Sequence, residues 1–415
     1  MTNHKRYDII ITSKQFILER KDAIMYFTVV GKVIKSKEDK AYVRACESEK
    51  GSFVTFNFMA KANGNLVFLQ SQYWDSKTYK KDKIYLIDKQ GNTFDIPISQ
   101  KDDPEILAKV PEYKKYVIDR YPSGYVYGLE KLVKGFDEAS DEDKAKFKVT
   151  TLEEAKAKYE KVKKGRYEFL DNVDFTEALR NLFEKDTHIE EGKWVITGER
   201  TAYFNESKNE WNTRYEVKKI QKAQSVAEET ATVSEKFLFL NDAVKETNDG
   251  LSITGYSVVY TGKDKATGEK LPNKYCPVQF EVPKKSDAFI EGMKKRFDVD
   301  PDEENPNAVK EMGVVLNILN GAEKIEFTED MLTDADKENI NWGLTTFEDI
   351  KKERTAYGES KQGFSFAKLG KGYSILVDTA YTKSAILGKK ATEDSDELGD
   401  ELDSLDLDSF EDLDL

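Results

Sequence analysis

Between residues 7 and 98 apolar and polar positions alternate with the period of two that a half-buried strand requires. In KGSFVTFNF, Val54, Phe56 and Phe58 fall on one face and Phe53, Thr55 and Asn57 on the other. The first set predicts a core face and leaves Phe53 as a candidate exposed aromatic. Similar runs are DAIMYFTVVGKVI, KAYVRAC, NLVFLQSQYW, DKIYLID and TFDIPIS, divided by turn signals such as Asn63-Gly64 and Gln90-Gly91-Asn92. So many short strands in one stretch predict a small barrel or sandwich over 1–100.

The pattern changes at residue 101. DDPEILAKVPEYKKYVIDRY, TLEEAKAKYEKVKKG and FTEALRNLFEK carry helical spacing, and Thr151 with Glu154 fits a capping box. Residues 101–190 therefore predict a helical insertion or linker. Alternation returns in GKWVITGERTAYFN and EWNTRYEVKKIQ, with FNESKNEW turning the chain between them, and again in a hairpin turning at KDKATGEK. The segments SDAFIEGMKKRF, NPNAVKEMGVVLNILNG and GLTTFEDIKKE read as helical. Three segments share an outline of strand, glycine, strand, charged loop, strand, which is how the long first hairpin of an OB-fold reads. The expectation is a β-rich α+β chain: an OB-like domain over 1–100, the helical insertion over 101–190, a second OB-like domain with helices over 191–390, and a disordered acidic tail over 391–415.

Charge sharpens this division. The 415-residue chain has 78 acidic and 65 basic residues and a net charge of -13. The last 25 residues hold twelve of the acids and no Lys or Arg, so 66 acids face 65 bases in the rest. A self-repelling block of this kind cannot bury enough apolar surface to offset chain entropy. Its interleaved apolar residues make it a docking peptide and not merely a solubiliser; the partner-binding set is Asp403, Leu405, Asp406, Leu407, Asp408, Phe410, Glu411, Asp412, Leu413, Asp414 and Leu415. Residues 1–100 carry 17 bases against 11 acids, and residues 351–390 nine against three, so each block is +6.

Basic side chains interleaved with aromatics point to single-stranded nucleic acid, which needs a positive groove for phosphates and aromatic faces for bases. In the first β region the candidates are Lys32, Lys35, Lys37, Arg44, Lys77, Lys80 and Lys81 for phosphate, with Phe53, Tyr73, Trp74 and Tyr79 for stacking. In the second they are Trp194, Arg200, Tyr203, Trp211, Arg214, Tyr215, Lys274 and Tyr275. Each aromatic taken alone has a core role as its plainer reading. Trp74, Trp211 and Tyr275 are expected in polar loops with little core to fill, which favours a surface. Catalytic and cofactor patterns point elsewhere: residues 262–270 read GKDKATGEK and lack phosphate-loop spacing, and a lysine motif of the ligase type is missing. The acidic run from Asp298 has Glu303 where a calcium loop needs glycine. Two His and two Cys leave no metal set or His-dependent triad. The reading is a binding protein rather than an enzyme, without cofactor, in a reducing cytoplasmic setting, since no signal-peptide core and no membrane-length apolar run is visible.

β-rich domains with basic, aromatic surfaces and an acidic, Phe-containing tail resemble single-stranded DNA-binding proteins, particularly the replication proteins of tailed phages. That resemblance implies a chain that coats single-stranded DNA during replication or recombination. It also implies a tail, here 393–415 with Phe410 as its aromatic, that recruits polymerase, primase or helicase and competes with DNA, and self-association along the strand. The ending FEDLDL departs from members whose aromatic stands at or beside the last residue. The alternatives are an interaction factor whose acidic tail mimics DNA toward a polymerase, and a nuclease built on carboxylates.

Overall fold

The computed structural model describes residues 25–388 apart from 79–81, 262–266, 268, 270, 300–307, 326, 354–355 and 377–380. The acidic tail over 391–415, with its partner-binding set from Asp403 to Leu415, and the candidates Tyr79, Lys80 and Lys81 lie outside the described residues. The strands are β1 (Tyr26–Ile34), β2 (Tyr42–Ser48), β3 (Gly51–Ala62), β4 (Asn65–Ser76), β5 (Lys83–Ile87), β6 (Thr93–Pro97), β7 (Tyr116–Asp119), β8 (Arg166–Phe169), β9 (Trp194–Asn205), β10 (Glu210–Lys222), β11 (Thr230–Phe239), β12 (Val244–Thr247), β13 (Gly250–Val259), β14 (Lys274–Pro283), β15 (Val309–Ile325) and β16 (Ala356–Leu376). Fourteen of them join one mixed sheet, and β5 pairs only with β6.

Local sequence explains the hairpins. Ala62 pairs with Asn65 across a two-residue turn in which Asn63 (φ 48°) and Gly64 (φ 84°) take the left-handed conformations such a turn requires. Along β3, Val54, Phe56, Phe58 and Ala60 are buried and Phe53 is exposed, as the alternation predicts. Residues 206–209 turn β9 back onto β10, and β13 pairs with β14 from Gly250↔Pro283 to Val259↔Lys274.

Long-range pairing is what the alternation did not contain. β1 pairs with both β3 and β9, β3 with β4, β9 with β10, and β10 runs parallel to β4 at Glu216↔Gln70. This circuit surrounds Phe27, Val29, Phe58, Ile196 and Val217, and the helix Asn172–Lys185 closes its base with Phe175, Leu179 and Phe183. A second circuit, β11–β13–β14–β16–β15, encloses Phe237, Phe239, Phe280 and Leu316, with Phe297 and Met293 of the helix Asp287–Phe297 beneath. β1 also pairs with β11, and β4 with β15, so the ladders run from one circuit into the next.

The expected OB-like small barrels are therefore corrected. Among the described residues, strands of 1–100 close no barrel of their own: β1 to β4 belong to the one 14-stranded sheet, and β5 with β6 makes only a two-stranded ladder. The physical reason is that a period of two reports which face of a strand is buried, not which strand lies beside it.

Two further expectations change. Helices do fill much of 101–190, including Ser123–Lys134 and Leu152–Lys163, and the Thr151–Glu154 capping box is formed. However, β7 and β8 extend the large sheet beyond β10. The segment from Val309 that read as helical is β15: Met312, Val314, Val315, Leu316 and Ile318 are all buried. Burial alternates at Met312, Val314, Leu316 and Ile318, but Val315, next to a register shift, adds the consecutive apolar run Val314-Val315-Leu316, which periodicity alone cannot tell from a buried helix.

Candidate nucleic-acid interface

The outward face of the first circuit sets the geometry. On β4 the buried Val67 and Leu69 alternate with Phe68, which is 63% exposed, and with Gln70. The parallel register Glu216↔Gln70 places Arg214 of β10 beside Phe68. Arg214 donates from Nε to Thr201 Oγ1 (3.1 Å), and its guanidinium lies 5.2 Å from the ring centre of the exposed Tyr203. A groove of about 630 Å³ runs over this face, bordered by Lys40, Asn57, Phe68, Gln70 and Arg214 on one side and by Asn320 of β15 and Gln362 of β16 on the other. Among the described residues that line it, two are cations and none is a carboxylate.

A second aromatic spot lies on the same outward face. Phe53 and Trp74 are cross-strand partners packed edge to face at 4.8 Å, and both are exposed. Arg44 is close by but already engaged, donating to Asp75 Oδ2 (2.7 Å) and Ser52 Oγ, and Lys77 pairs with Glu47 at 3.4 Å. Tyr73 points to the inner side, where its hydroxyl donates to Glu177 (3.0 Å), and burial raises its phenol above the ordinary range. Lys32 and Lys37 are exposed; Lys35 is half-buried and reaches the Asp186 carbonyl.

The second group of sequence candidates divides. Trp194 is 2% exposed, and its indole N–H donates to the Ile189 carbonyl (2.8 Å) within the core. Arg200 is 3% exposed and donates to Glu235 Oε2 (3.1 Å). Neither can meet a strand of nucleic acid without unfolding the sheet around it. Tyr215 packs edge-on to Phe27 (5.4 Å) and Trp211 edge-on to Phe204 (5.3 Å), both half-buried. Trp74, Trp211 and Tyr275 stand on β4, β10 and β14, not in the expected loops. Lys274 is exposed, ion-paired with Glu206 at 3.5 Å, and Tyr275 packs edge-on to Tyr381. Thus Arg214 lines the groove with Tyr203 packed beside it, Phe53 and Trp74 lie further along the same outward face, and Trp194 and Arg200 are structural.

Sequence reasoning missed Phe68, Lys40, Asn57 and Gln70. Phe68 was recoverable: the alternation that buries Val67 and Leu69 necessarily turns it outward. The others become neighbours only through the β4–β10 and β15–β16 pairings. No helix among the described residues is long and apolar enough to cross a membrane, and no cluster of three or more metal-ligating side chains occurs among them. No protein-family model matches the chain, and no curated protein is similar to it.

Proposed function

We propose that the chain binds single-stranded DNA along the groove over β4 and β10, in DNA replication or recombination. The observation that carries this reading is the union of two cations, Lys40 and Arg214, with the outward ring of Phe68 at one groove whose lining lacks carboxylates, and with the exposed Tyr203 ring against Arg214 beside it. Phosphates pair with the cations while bases stack on the rings, and the amides of Asn57 and Gln70 offer hydrogen bonds to base edges. A duplex keeps its bases stacked on one another and gains little from exposed rings, so single strands are favoured. Binding needs no bond making or breaking, so the protein acts as a binding protein, not an enzyme. In the same reading the acidic tail recruits polymerase, primase or helicase, and it competes with DNA for the cationic surface. Electrophoretic mobility shift with single- and double-stranded oligonucleotides at two salt concentrations tests the proposal. Single strands should be retained preferentially and released as salt rises; equal retention of duplex, or none of either, rejects it.

A further inference from the structure

The β15–β16 ladder does not stop at the groove. Beyond Asn320↔Gln362 it continues to Ile325↔Ala356, about 17 Å further at ~3.3 Å per residue. Residues 327–353 fold at its end into two short helices, Asp334–Asn341 with a Thr333–Asp336 capping box, and Phe347–Glu353. Phe327 and Phe347 pack at 6.2 Å beside the buried Ile350, so this end has a small core of its own. Trp342 and Leu344 stay outside that core, 69% and 71% exposed, on either side of Gly343, whose left-handed φ of 72° turns the chain sharply between them. A folded, capped element that holds a Trp and a Leu in water has the form of an interface anchor.

Charge selects the partner. Residues 327–353 contain eight acids and three bases, a net -5 that repels phosphate, so the knob fits a basic surface with an apolar centre. The chain offers one: on the β1–β3 ladder Lys32 faces Lys61 and Ile34 faces Met59 on the same outward side, with the exposed Lys37 nearby in sequence. We infer that the Trp342–Leu344 knob of one molecule docks on the Lys32–Ile34–Met59–Lys61 face of a second copy of this chain. Knob and seat are different surfaces, so the contact is heterologous and propagates into open chains of molecules. This docking does not rest on the proposed nucleic-acid reading, although Met59 of the seat pairs across β3–β4 with Phe68 of the groove; association is therefore measured without DNA and oligo-dT binding is read separately.

Sedimentation of the full chain measures it. The wild-type protein should sediment faster as concentration rises, and Trp342→Ala and Lys32→Glu should each lose that dependence. A mixture of the two variants keeps one competent knob and one competent seat, so it should form a dimer and nothing longer. A wild-type protein that remains monomeric throughout, a Trp342→Ala variant that associates like wild type, or a mixture that stays monomeric overturns the inference. So does a Trp342→Ala variant whose defect is weaker oligo-dT binding with association unchanged, since Trp342 would then be stacking bases.

Discussion

Replacing Arg200 with Met strands a carboxylate at the seam between the two strand circuits. Arg200 comes from β9 and Glu235 from β11, their side chains are 2% and 3% exposed, and one contact of 3.1 Å joins them. Glu235 Oε1 and Arg200 Nε have no hydrogen-bond partner among the described residues. Burial raises the Glu235 carboxyl from an ordinary 4.5 to about 7, against the opposing pull of the Arg200 charge. Removing one partner of a buried pair costs about 3–5 kcal/mol, whereas exchanging both for apolar residues is near neutral or stabilising. With an unfolding entropy of about 2.1 cal/mol/K per residue, ~360 ordered residues give ~0.76 kcal/mol/K, so ~4 kcal/mol lowers Tm by about 5 °C.

Differential scanning calorimetry of Arg200→Met, Glu235→Leu and the double variant reads this directly. The expected result is a loss in the first and recovery in the double, with the Arg200→Met deficit shrinking at pH 5, where Glu235 is neutral. A double variant no better than Arg200→Met refutes the reasoning, because the pair would then be contributing more than mutual charge compensation.

Other changes have definite signs. Because the folded chain holds the Glu235 proton more tightly than the unfolded chain, stability should fall as pH rises from about 4.5 to about 7, by on the order of 3 kcal/mol. Glu235→Gln should flatten that slope in denaturant titrations, and an unchanged slope assigns it to another group. Gly31→Ala should lower Tm, since a Cβ there runs into the Lys61 carbonyl across the β1–β3 ladder; Gly292→Ala, with open space around it in the helix Asp287–Phe297, should stabilise by about 1 kcal/mol. Thr151→Ala removes the Oγ1 acceptor of the Glu154 N–H, leaving only the backbone half of the capping box, and should cost about 1 kcal/mol, read as faster amide exchange over 152–163.

What sequence could and could not supply follows from the range of each force. The Asn63-Gly64 turn, the β9–β10 hairpin and the Thr151 cap are set by neighbouring residues, and each formed as expected. β15 was misread as helix because the consecutive apolar residues Val314, Val315 and Leu316 mask the alternation that its burial follows at Met312, Val314, Leu316 and Ile318. Phe53 and Phe68 are exposed for one reason, the alternation of their strands, yet only Phe53 was picked out. Arg200 and Trp194 looked like surface candidates because composition does not say which side of β9 faces inward. Arg214 could be proposed from sequence, but its place beside Phe68 depends on a parallel pairing between residues 146 positions apart, Gln70 and Glu216.

The most direct test of single-strand binding is fluorescence anisotropy of labelled oligo-dT with wild type, Phe68→Ala and Arg214→Ala. Loss of one stacking ring should weaken binding by ~1–3 kcal/mol, roughly 5- to 150-fold, with the salt dependence unchanged. Loss of Arg214 should weaken binding and reduce the log-log salt slope by about 0.7. Both variants should keep the wild-type Tm, since Phe68 is exposed and Arg214 packs mainly against Tyr203 and Thr201. Wild-type affinity in both variants, or no oligo-dT binding by the wild-type chain, contradicts the account.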